Sequence, residues 1–241
     1  MIAKQSLPDH QVHVWYSWMA QCNSDSQLAY YRSLLSDDEN KRYNKLAFDH
    51  LKQQYLLTRA LCRLTLSGYM DIAPQALEFT HNKYGKPIID NPNPLGFNFN
   101  LSHVGTLVAC VVARDVMVGV DVEKCNPKRQ SDRLAARFLS STEYQQWQAH
   151  ADPLGRFHQY WTLKEAYVKA RGMGLSLPLQ QLSFDLCGQS ITVQFDAQLE
   201  DIAEHWQFGS YQLGKDHQLA VAIGRKGIEP FTIISRPTIP S

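Results

Sequence analysis

The chain has 241 residues, 44% of them hydrophobic, and its 24 basic and 23 acidic side chains leave a formal net charge of +1. This length allows one large domain or two small ones, and the charge balance argues against a dedicated nucleic-acid or membrane-surface binder, which would carry a basic excess. Met1–Ala20 lacks the apolar core of a signal peptide, no apolar run approaches the ~20 residues of a membrane span, and the five cysteines include no CxxC pair, so we expect a cytoplasmic protein without disulfides or a zinc site.

The first half of the chain predicts strands on either side of a long helical segment. His10–Trp18 alternates as an opening strand does. Ser36–Ser67 has a helical apolar pattern, with Glu39 placed to form a capping box at its start and Gly68 at its end. After the turn-rich segment Lys83–Leu95, strands are predicted in "GFNFNLSH", "TLVACVVA" and "VMVGVDVE". The short turns between these three strands indicate antiparallel pairing.

The second half repeats this order of helices followed by strands. Helices are predicted over Arg129–Leu139, Ser141–Ala149 and Arg156–Arg171, and strands in "ITVQFDA", "WQFGSYQL" and "HQLAVAIG". The expected fold class is therefore α+β, with two similar halves that form a pseudo-repeat, each with helices packed on an antiparallel sheet. We expect an N-terminal half at 1–115, a C-terminal half at 116–228 and a loosely held tail at 229–241, which contains three prolines.

Two carboxylates share one face of the strand in "VMVGVDVEK". Side chains alternate along a strand, so Asp121 and Glu123 project from the face opposite the three valines between and before them. At a separation of ~7 Å along the strand they repel each other unless a cation lies between them. Gly119 on the same face would leave room for a ligand to approach. A strand end that dips into solvent would also produce this pattern.

The segment "WTLKEAYVKARG" has the pattern of a helix interior. Glu165 and Lys169 are four positions apart, on one helix face and in the order that favours an ion pair. A surface helix would show the same pair. Lys164 flanks the same aromatic-rich segment, and a buried lysine there would be unusual for a simple surface helix.

Together, "GVDVEK" and the later "WTLKEAYVKARGMGL" resemble the paired motifs of the 4′-phosphopantetheinyl transferases. "YGKP" and "NFNLSH" are similar to two further motifs of that family, and the matches span Ser36 to Pro178. Each motif alone is a weak signal, whereas all four in this order are a strong one. The resemblance is to the long, monomeric surfactin-synthetase-activating type rather than to the shorter, trimeric acyl-carrier-protein synthases.

The resemblance implies transfer of the 4′-phosphopantetheine arm of coenzyme A to a serine of an apo-acyl or apo-peptidyl carrier protein, releasing adenosine 3′,5′-bisphosphate. It implies Mg²⁺ as the cofactor, because the anionic diphosphate must be neutralised before an alcohol attacks it, and Mg²⁺ does this with oxygen ligands. Two other readings stay open: a Mg²⁺-dependent coenzyme A diphosphate hydrolase, and a non-catalytic coenzyme A or carrier-protein binding module. Binding alone needs no base, which argues against the module.

By resemblance, the metal ligands are Asp121, Glu123 and Glu165. Glu165 is also the expected general base, acting directly or through a metal-bound water. Lys169 would contact the diphosphate, with Lys164 in the same region. Asp121, Glu165 and Lys169 are thus the expected catalytic residues.

The resemblance also assigns residues to the coenzyme: the 3′-phosphate to His103, the region of the diphosphate to Ser102, and the adenine and ribose phosphate to Lys86. From the basic side chains of the first helical segment we select Arg42 and Arg59 as phosphate contacts. Because these residues precede the joint between the halves and the metal ligands follow it, we expect the site to lie between the halves.

Overall fold

A computed structural model describes residues 4–126, 132–174, 177–188, 190–225, 227 and 229–241 of the chain. They form two units, the first comprising Met1–Asp115 with Phe231–Ser241 and the second Val116–Pro230. Each unit packs α-helices on a β-sheet, which confirms the α+β class. Among the described helices, none is long and apolar enough to cross a membrane.

In the part of the first unit that the structure describes there are nine α-helices and β-strands: β1 (Gln11–Trp18), α1 (Asp25–Ser33), α2 (Asp37–Asn44), α3 (Asp49–Met70), β2 (Phe79–His81), β3 (Pro87–Ile89), β4 (Phe97–Val104), β5 (Leu107–Arg114) and β11 (Thr232–Pro237). Its main sheet has the order β11-β1-β5-β4, and β2 and β3 form a separate hairpin. α3 packs on this sheet because its leucines, including Leu57 and Leu61, are buried with Phe99 and Val108 in one apolar cluster.

The described residues of the second unit form eight α-helices and β-strands: β6 (Val118–Lys124), α4 (Asp132–Phe138), α5 (Ser141–Gln148), α6 (Pro153–Arg171), β7 (Leu182–Asp185), β8 (Thr192–Phe195), β9 (Trp206–Leu213) and β10 (His217–Gly224). The antiparallel sheet β6-β10-β9 carries α6 on one face, and β7 and β8 form a hairpin. Residues 129–131 of the helix predicted over Arg129–Leu139 lie outside the described residues.

The two units repeat one order of elements, so the predicted pseudo-repeat is confirmed. Within the described residues, each runs from a strand through three α-helices and a hairpin to two strands. The long helices α3 and α6 both end at a left-handed residue, Asp71 (φ 59°) and Gly172 (φ 62°). α2 and α5 both begin with a capping box, with Glu39 and Glu143 at the third helical position.

The tail is not loosely held, contrary to expectation. Its residues Thr232–Pro237 form β11, which pairs in parallel with β1. Beyond the strand, the Ser17 hydroxyl donates to Thr238 O at 2.7 Å and the Tyr31 hydroxyl to Pro240 O at 3.0 Å. Proline is compatible with this position because β11 is an edge strand. The sheet of the first unit is therefore mixed rather than purely antiparallel.

Two other local expectations were wrong. β6 does not extend the β4–β5 pair but pairs with β10, because the chain leaves the first sheet at Asp115, whose φ is 55°. The helical pattern over Ser36–Ser67 is divided into α2 and α3, and α3 passes Gly68 because Asp71 supplies its left-handed cap.

Candidate active site

The candidate site is built where α6 crosses the β6 face that carries the two carboxylates. A Cβ added at Gly119 would lie 2.1 Å from Ala166 O and 2.4 Å from Ala170 N, distances that real Cβ atoms do not reach. Glycine is therefore required because the helix backbone passes directly over the strand. The expectation that Gly119 leaves room for a ligand is wrong. Instead, its lack of a side chain brings the charged residues of α6 onto the strand.

Lys169 links α6 to β6. Its Nζ lies 2.6 Å from Asp121 Oδ1, and Asp121 is only 4% exposed. The ammonium therefore neutralises a carboxylate that burial would otherwise penalise. Lys169 also lies near Glu165, whose pKa it acts to lower.

Glu123 is held by an aromatic side chain that the sequence analysis had not assigned a function. Trp161 Nε1 donates to Glu123 Oε1 at 3.1 Å. The indole is itself positioned by Phe138, whose ring centroid lies 4.6 Å away in an edge-to-face arrangement. Beside this hydrogen bond lies an apolar cavity of about 390 Å³, lined by Glu123, Leu134, Phe138, Phe157, His158 and Trp161. The position of Trp161 within the "WTLKE" motif was the available signal.

Glu165 lies in an environment that disfavours its charged form. Burial first, and then the neighbouring Asp121 and Glu123 carboxylates, raise its pKa to about 7, while Lys169 opposes the shift. The structure thus brings together the four residues expected at the metal and diphosphate. Three carboxylates and one ammonium leave the group with excess negative charge.

The family resemblance implies Mg²⁺ at this group. Within the described part of the chain, no three His, Cys, Asp or Glu side chains are placed so that they could hold a metal ion. The donor chemistry nevertheless fits, because carboxylate oxygens are ligands that Mg²⁺ prefers. The raised pKa of Glu165 also fits, since a cation would relieve the repulsion that causes part of it. In this structure the Asp121 carboxylate forms an ion pair with the Lys169 ammonium.

Lys164 does not join this group, contrary to expectation. It is completely buried, and its Nζ lies 2.7 Å from Glu143 Oε2 while donating to Leu179 O at 2.7 Å and Leu182 O at 2.6 Å. Burial lowers its pKa and the Glu143 carboxylate opposes that shift. Glu143 also accepts from backbone amides at Ser140 (2.8 Å) and Phe184 (2.9 Å). Lys164 therefore connects α6 to the β7–β8 hairpin and to the capping box of α5, all within the second unit.

Three of the residues expected to contact coenzyme A lie on β4 and in the β2–β3 turn of the first unit. Ser102 is buried and His103 exposed, and the two project from opposite faces of edge strand β4. Lys86 follows Gly85 (φ 86°), and its backbone N–H donates to Asn82 Oδ1 at 2.9 Å. Burial lowers the pKa of Lys86 to about 8, so its side chain is not simply solvated.

Arg42 and Arg59 are brought together around one tyrosine that the sequence analysis did not single out. Their guanidinium carbons lie 6.0 and 5.4 Å from the ring centroid of Tyr55. Among the described residues, no hydrogen-bond partner is found for the buried Nε of Arg59. The i, i+4 spacing of Tyr55 and Arg59 on α3 was the signal that could have found this cluster.

The repeat allows each charged residue to be compared with its equivalent in the other unit. Arg63 precedes the left-handed cap of α3 by the same number of residues as Lys164 precedes that of α6. Arg63 ion-pairs with Glu39 at 2.8 Å and donates to Pro74 O at 2.6 Å and Leu77 O at 3.0 Å. Both units therefore join a capping-box glutamate to a cation of the long helix. This buried pair belongs to the fold.

The charges at β6 and α6 have no such equivalents. Trp15 pairs with Cys110, the fourth residue of β5, and Asp121 pairs with Ala220, the fourth residue of β10. Trp15 and Asp121 therefore occupy matching positions in the two units. The remaining correspondences follow from the same register and caps: Glu123 with Ser17, Glu165 with Leu64, and Lys169 with Gly68. The first unit folds without a charge at any of these positions. The fold therefore does not require them in the second unit, which points to function.

Comparison with known proteins gave matches over most of the chain. Residues 117–222 match a family model described as the 4′-phosphopantetheinyl transferase superfamily, and residues 17–115 match one described as 4′-phosphopantetheinyl transferase, N-terminal. The chain is 34% identical to 4′-phosphopantetheinyl transferase HetI of Nostoc sp., over 71% of this chain and 73% of the relative. It is 31% identical to a phosphopantetheinyl transferase of Thraustochytrium sp. (78% and 70%). It is 28% identical to 4′-phosphopantetheinyl transferase Sfp of Bacillus subtilis (85% and 89%).

Proposed function

This chain belongs to the 4′-phosphopantetheinyl transferase superfamily, and we propose that, as a transferase of this family, it moves the 4′-phosphopantetheine arm of coenzyme A to a serine of an apo-acyl or apo-peptidyl carrier protein. Adenosine 3′,5′-bisphosphate is the other product. The observation that carries the proposal is the group of three carboxylates and one lysine on β6 and α6, at positions where the first unit has only uncharged residues.

Asp121, Glu123 and Glu165 would hold the Mg²⁺ ion. When bound, Mg²⁺ supplies charge neutralisation at the diphosphate, which lets an alcohol approach the phosphorus. Two of the three side chains are held by a neighbour: Asp121 lies against Lys169, and Glu123 accepts a hydrogen bond from Trp161. Glu165 is half-buried.

Glu165 is the general base in this proposal. Burial raises the pKa of Glu165, which makes this carboxylate a stronger proton acceptor than an ordinary glutamate. It takes the proton of the serine hydroxyl as the new oxygen–phosphorus bond forms. The bond between that phosphorus and the bridging diphosphate oxygen breaks, and the electron pair leaves on the adenosine bisphosphate. Lys169 stabilises this negative charge through its ammonium.

Recognition of the coenzyme's phosphates is assigned to the first unit. His103 is exposed at the end of β4, and it is proposed to bind the 3′-phosphate. Lys86 and Ser102 serve the adenine side and the diphosphate. Arg42 and Arg59 place two cations on one aromatic ring, an arrangement that an anion would stabilise.

The proposal is tested by incubating the protein with coenzyme A, Mg²⁺ and an apo-carrier protein and measuring intact masses. We expect the carrier to gain one phosphopantetheine group while adenosine 3′,5′-bisphosphate accumulates in equal amount. Release of free phosphopantetheine in the absence of a carrier, with no modified carrier in its presence, would indicate a diphosphate hydrolase and contradict the proposal. A reaction lacking the carrier serine is the matched control.

A further inference from the structure

Glu39 has a second contact beyond its part in the fold. One oxygen, Oε2, accepts from Ser36 N at 3.0 Å and from Arg63 Nε at 2.9 Å. The other, Oε1, lies 3.7 Å from Arg59 NH1, and the side chains of both residues are mostly buried. One oxygen of the Glu39 carboxylate therefore belongs to the buried ion pair with Arg63, and the other faces Arg59, which is proposed to contact a phosphate.

Glu143, the residue of the second unit that corresponds to Glu39, has no arginine at the helix position that corresponds to Arg59. Glu143 is completely buried, and its Oε1 accepts from a backbone amide, Phe184 N. The residue that corresponds to Arg59 is Tyr160, whose hydroxyl donates to Gln146 at 2.5 Å. The contact between Glu39 and Arg59 is thus an addition to the shared scaffold, as the charges at β6 and α6 are.

The distance of 3.7 Å between Glu39 Oε1 and Arg59 NH1 is too long for a direct hydrogen bond, so the Arg59 guanidinium keeps donors for another acceptor. An anion held by Arg42 and Arg59 would lie beside the Glu39 carboxylate. Like charges at this range in a partly buried site repel, and the carboxylate also offsets part of the arginine charge before any ligand arrives.

We propose that Glu39 is a specificity-determining residue that limits how strongly this enzyme prefers ligands carrying a 3′-phosphate. The proposal rests on the assignment of Arg42 and Arg59 to the coenzyme's phosphates. Replacing Glu39 by glutamine removes the negative charge but keeps a side chain that can form the capping box. We expect E39Q to increase the preference for adenosine 3′,5′-bisphosphate over adenosine 5′-monophosphate by roughly three- to tenfold.

The test is calorimetric titration of these two nucleotides, which differ only in the 3′-phosphate, into wild type, E39Q, D38N and R59M without carrier protein. Asp38 lies on the same helix and pairs with Lys41 at the surface, 2.8 Å away. D38N therefore removes the same charge from α2 without touching Arg59. It should leave the preference at the wild-type value, and R59M should reduce it.

The outcomes separate this inference from the proposed function. If R59M lowers the preference and E39Q leaves it unchanged or lowers it, the inference about Glu39 is overturned while the phosphate site stands. If R59M has no effect, Arg59 does not contact the 3′-phosphate and the inference fails. An equal gain in D38N and E39Q would mean a general charge effect and would overturn the inference. Should E39Q fail to fold because Arg63 loses its partner, E39Q combined with R63M removes both charges and gives the same test.

Discussion

Lys164 and Glu143 form an ion pair 2.7 Å long between two side chains that are both completely buried. Lys164 is adjacent in sequence to Glu165, yet the two serve different purposes. The first unit repeats this pair as Arg63 with Glu39, so the pair maintains the fold. Glu165 has the uncharged Leu64 as its equivalent.

We predict that Glu143→Gln destabilises the protein by about 3–5 kcal/mol, because it leaves the Lys164 ammonium buried without its countercharge. Urea denaturation measures the loss. Asp38→Asn is the control, since it breaks a solvent-exposed pair with Lys41 and should leave the free energy of unfolding nearly unchanged. Adding Lys164→Met to Glu143→Gln should recover part of the stability. A loss below 1 kcal/mol for Glu143→Gln would show that the pair is not structural.

Asp121→Asn should abolish carrier modification while the protein stays folded. The amide cannot supply the negative charge that Mg²⁺ and Lys169 require, and we expect a rate loss of at least about 10²-fold from lost charge stabilisation by the metal. The fold should persist because the first unit has the neutral Trp15 at the equivalent position. Intact mass follows the reaction and circular dichroism follows folding. Near-normal turnover of this variant with Mg²⁺ would rule out Asp121 as a ligand.

Trp161→Phe should raise the Mg²⁺ concentration needed for half-maximal rate by about tenfold or more, because Glu123 loses the donor that orients it. Phenylalanine keeps an aromatic ring against Phe138. The rate at saturating Mg²⁺ should change little. Trp147→Phe is the matched control, since that indole donates to Pro153 O at 3.0 Å. An equal effect in both variants would mean that the loss is structural.

Glu165→Gln should remove the acidic limb of the pH–rate profile. If Glu165 is the base, the wild-type rate rises with pH as this carboxyl loses its proton, and the variant is slower by about 10²–10⁴-fold with no such rise. Adenosine 3′,5′-bisphosphate should still bind. Restoration of the rate by excess Mg²⁺ with the limb intact would instead make Glu165 a ligand only.

The same variant should also alter stability in a pH-dependent way. The pKa of Glu165, about 7, lies above its unfolded value, so the folded state binds this proton more tightly than the unfolded state does. Its contribution to stability is complete below the unfolded pKa and is lost as the pH rises towards 7. In metal-free buffer, the melting temperature of Glu165→Gln should therefore exceed that of wild type at pH 8, with a smaller difference at pH 5. A constant difference across this range would contradict the shift.

His103→Ala should reduce the preference for coenzyme A over dephospho-coenzyme A by roughly ten- to hundredfold, the effect of one charge-assisted hydrogen bond. Transfer rates with each donor at limiting concentration give the ratio. His81→Ala, which changes an exposed histidine on β2, is the control and should leave the ratio unchanged. Equal losses for both donors in His103→Ala would mean that His103 does not contact the 3′-phosphate.

Local pattern predicted much of this molecule. Alternation placed Asp121 and Glu123 on one face of β6, and the spacing of Ser36 and Glu39 predicted a capping box that the structure contains. These features depend on neighbours in sequence. The family motifs led to Glu165 and Lys169.

What sequence could not supply depends on contacts between distant segments. Gly119 has no side chain because the α6 backbone crosses it, and nothing near Gly119 in sequence signals that crossing. The partner of Lys164 is 21 residues earlier in sequence, on α5 rather than on its own helix, so helical periodicity could not find it. The pairing of β6 with β10 and of β1 with β11 likewise joins segments far apart in the chain.

The parallel pairing of β11 with β1 has a consequence for how the chain is made. β11 follows the whole second unit in sequence, so a ribosome finishes that unit before the first unit can acquire its outermost strand. Until then, the β1 edge presents unsatisfied backbone groups that other strands could pair with. The β1 edge is thus open to misassembly for as long as the second unit is being synthesised, although β1 itself is translated well before that unit.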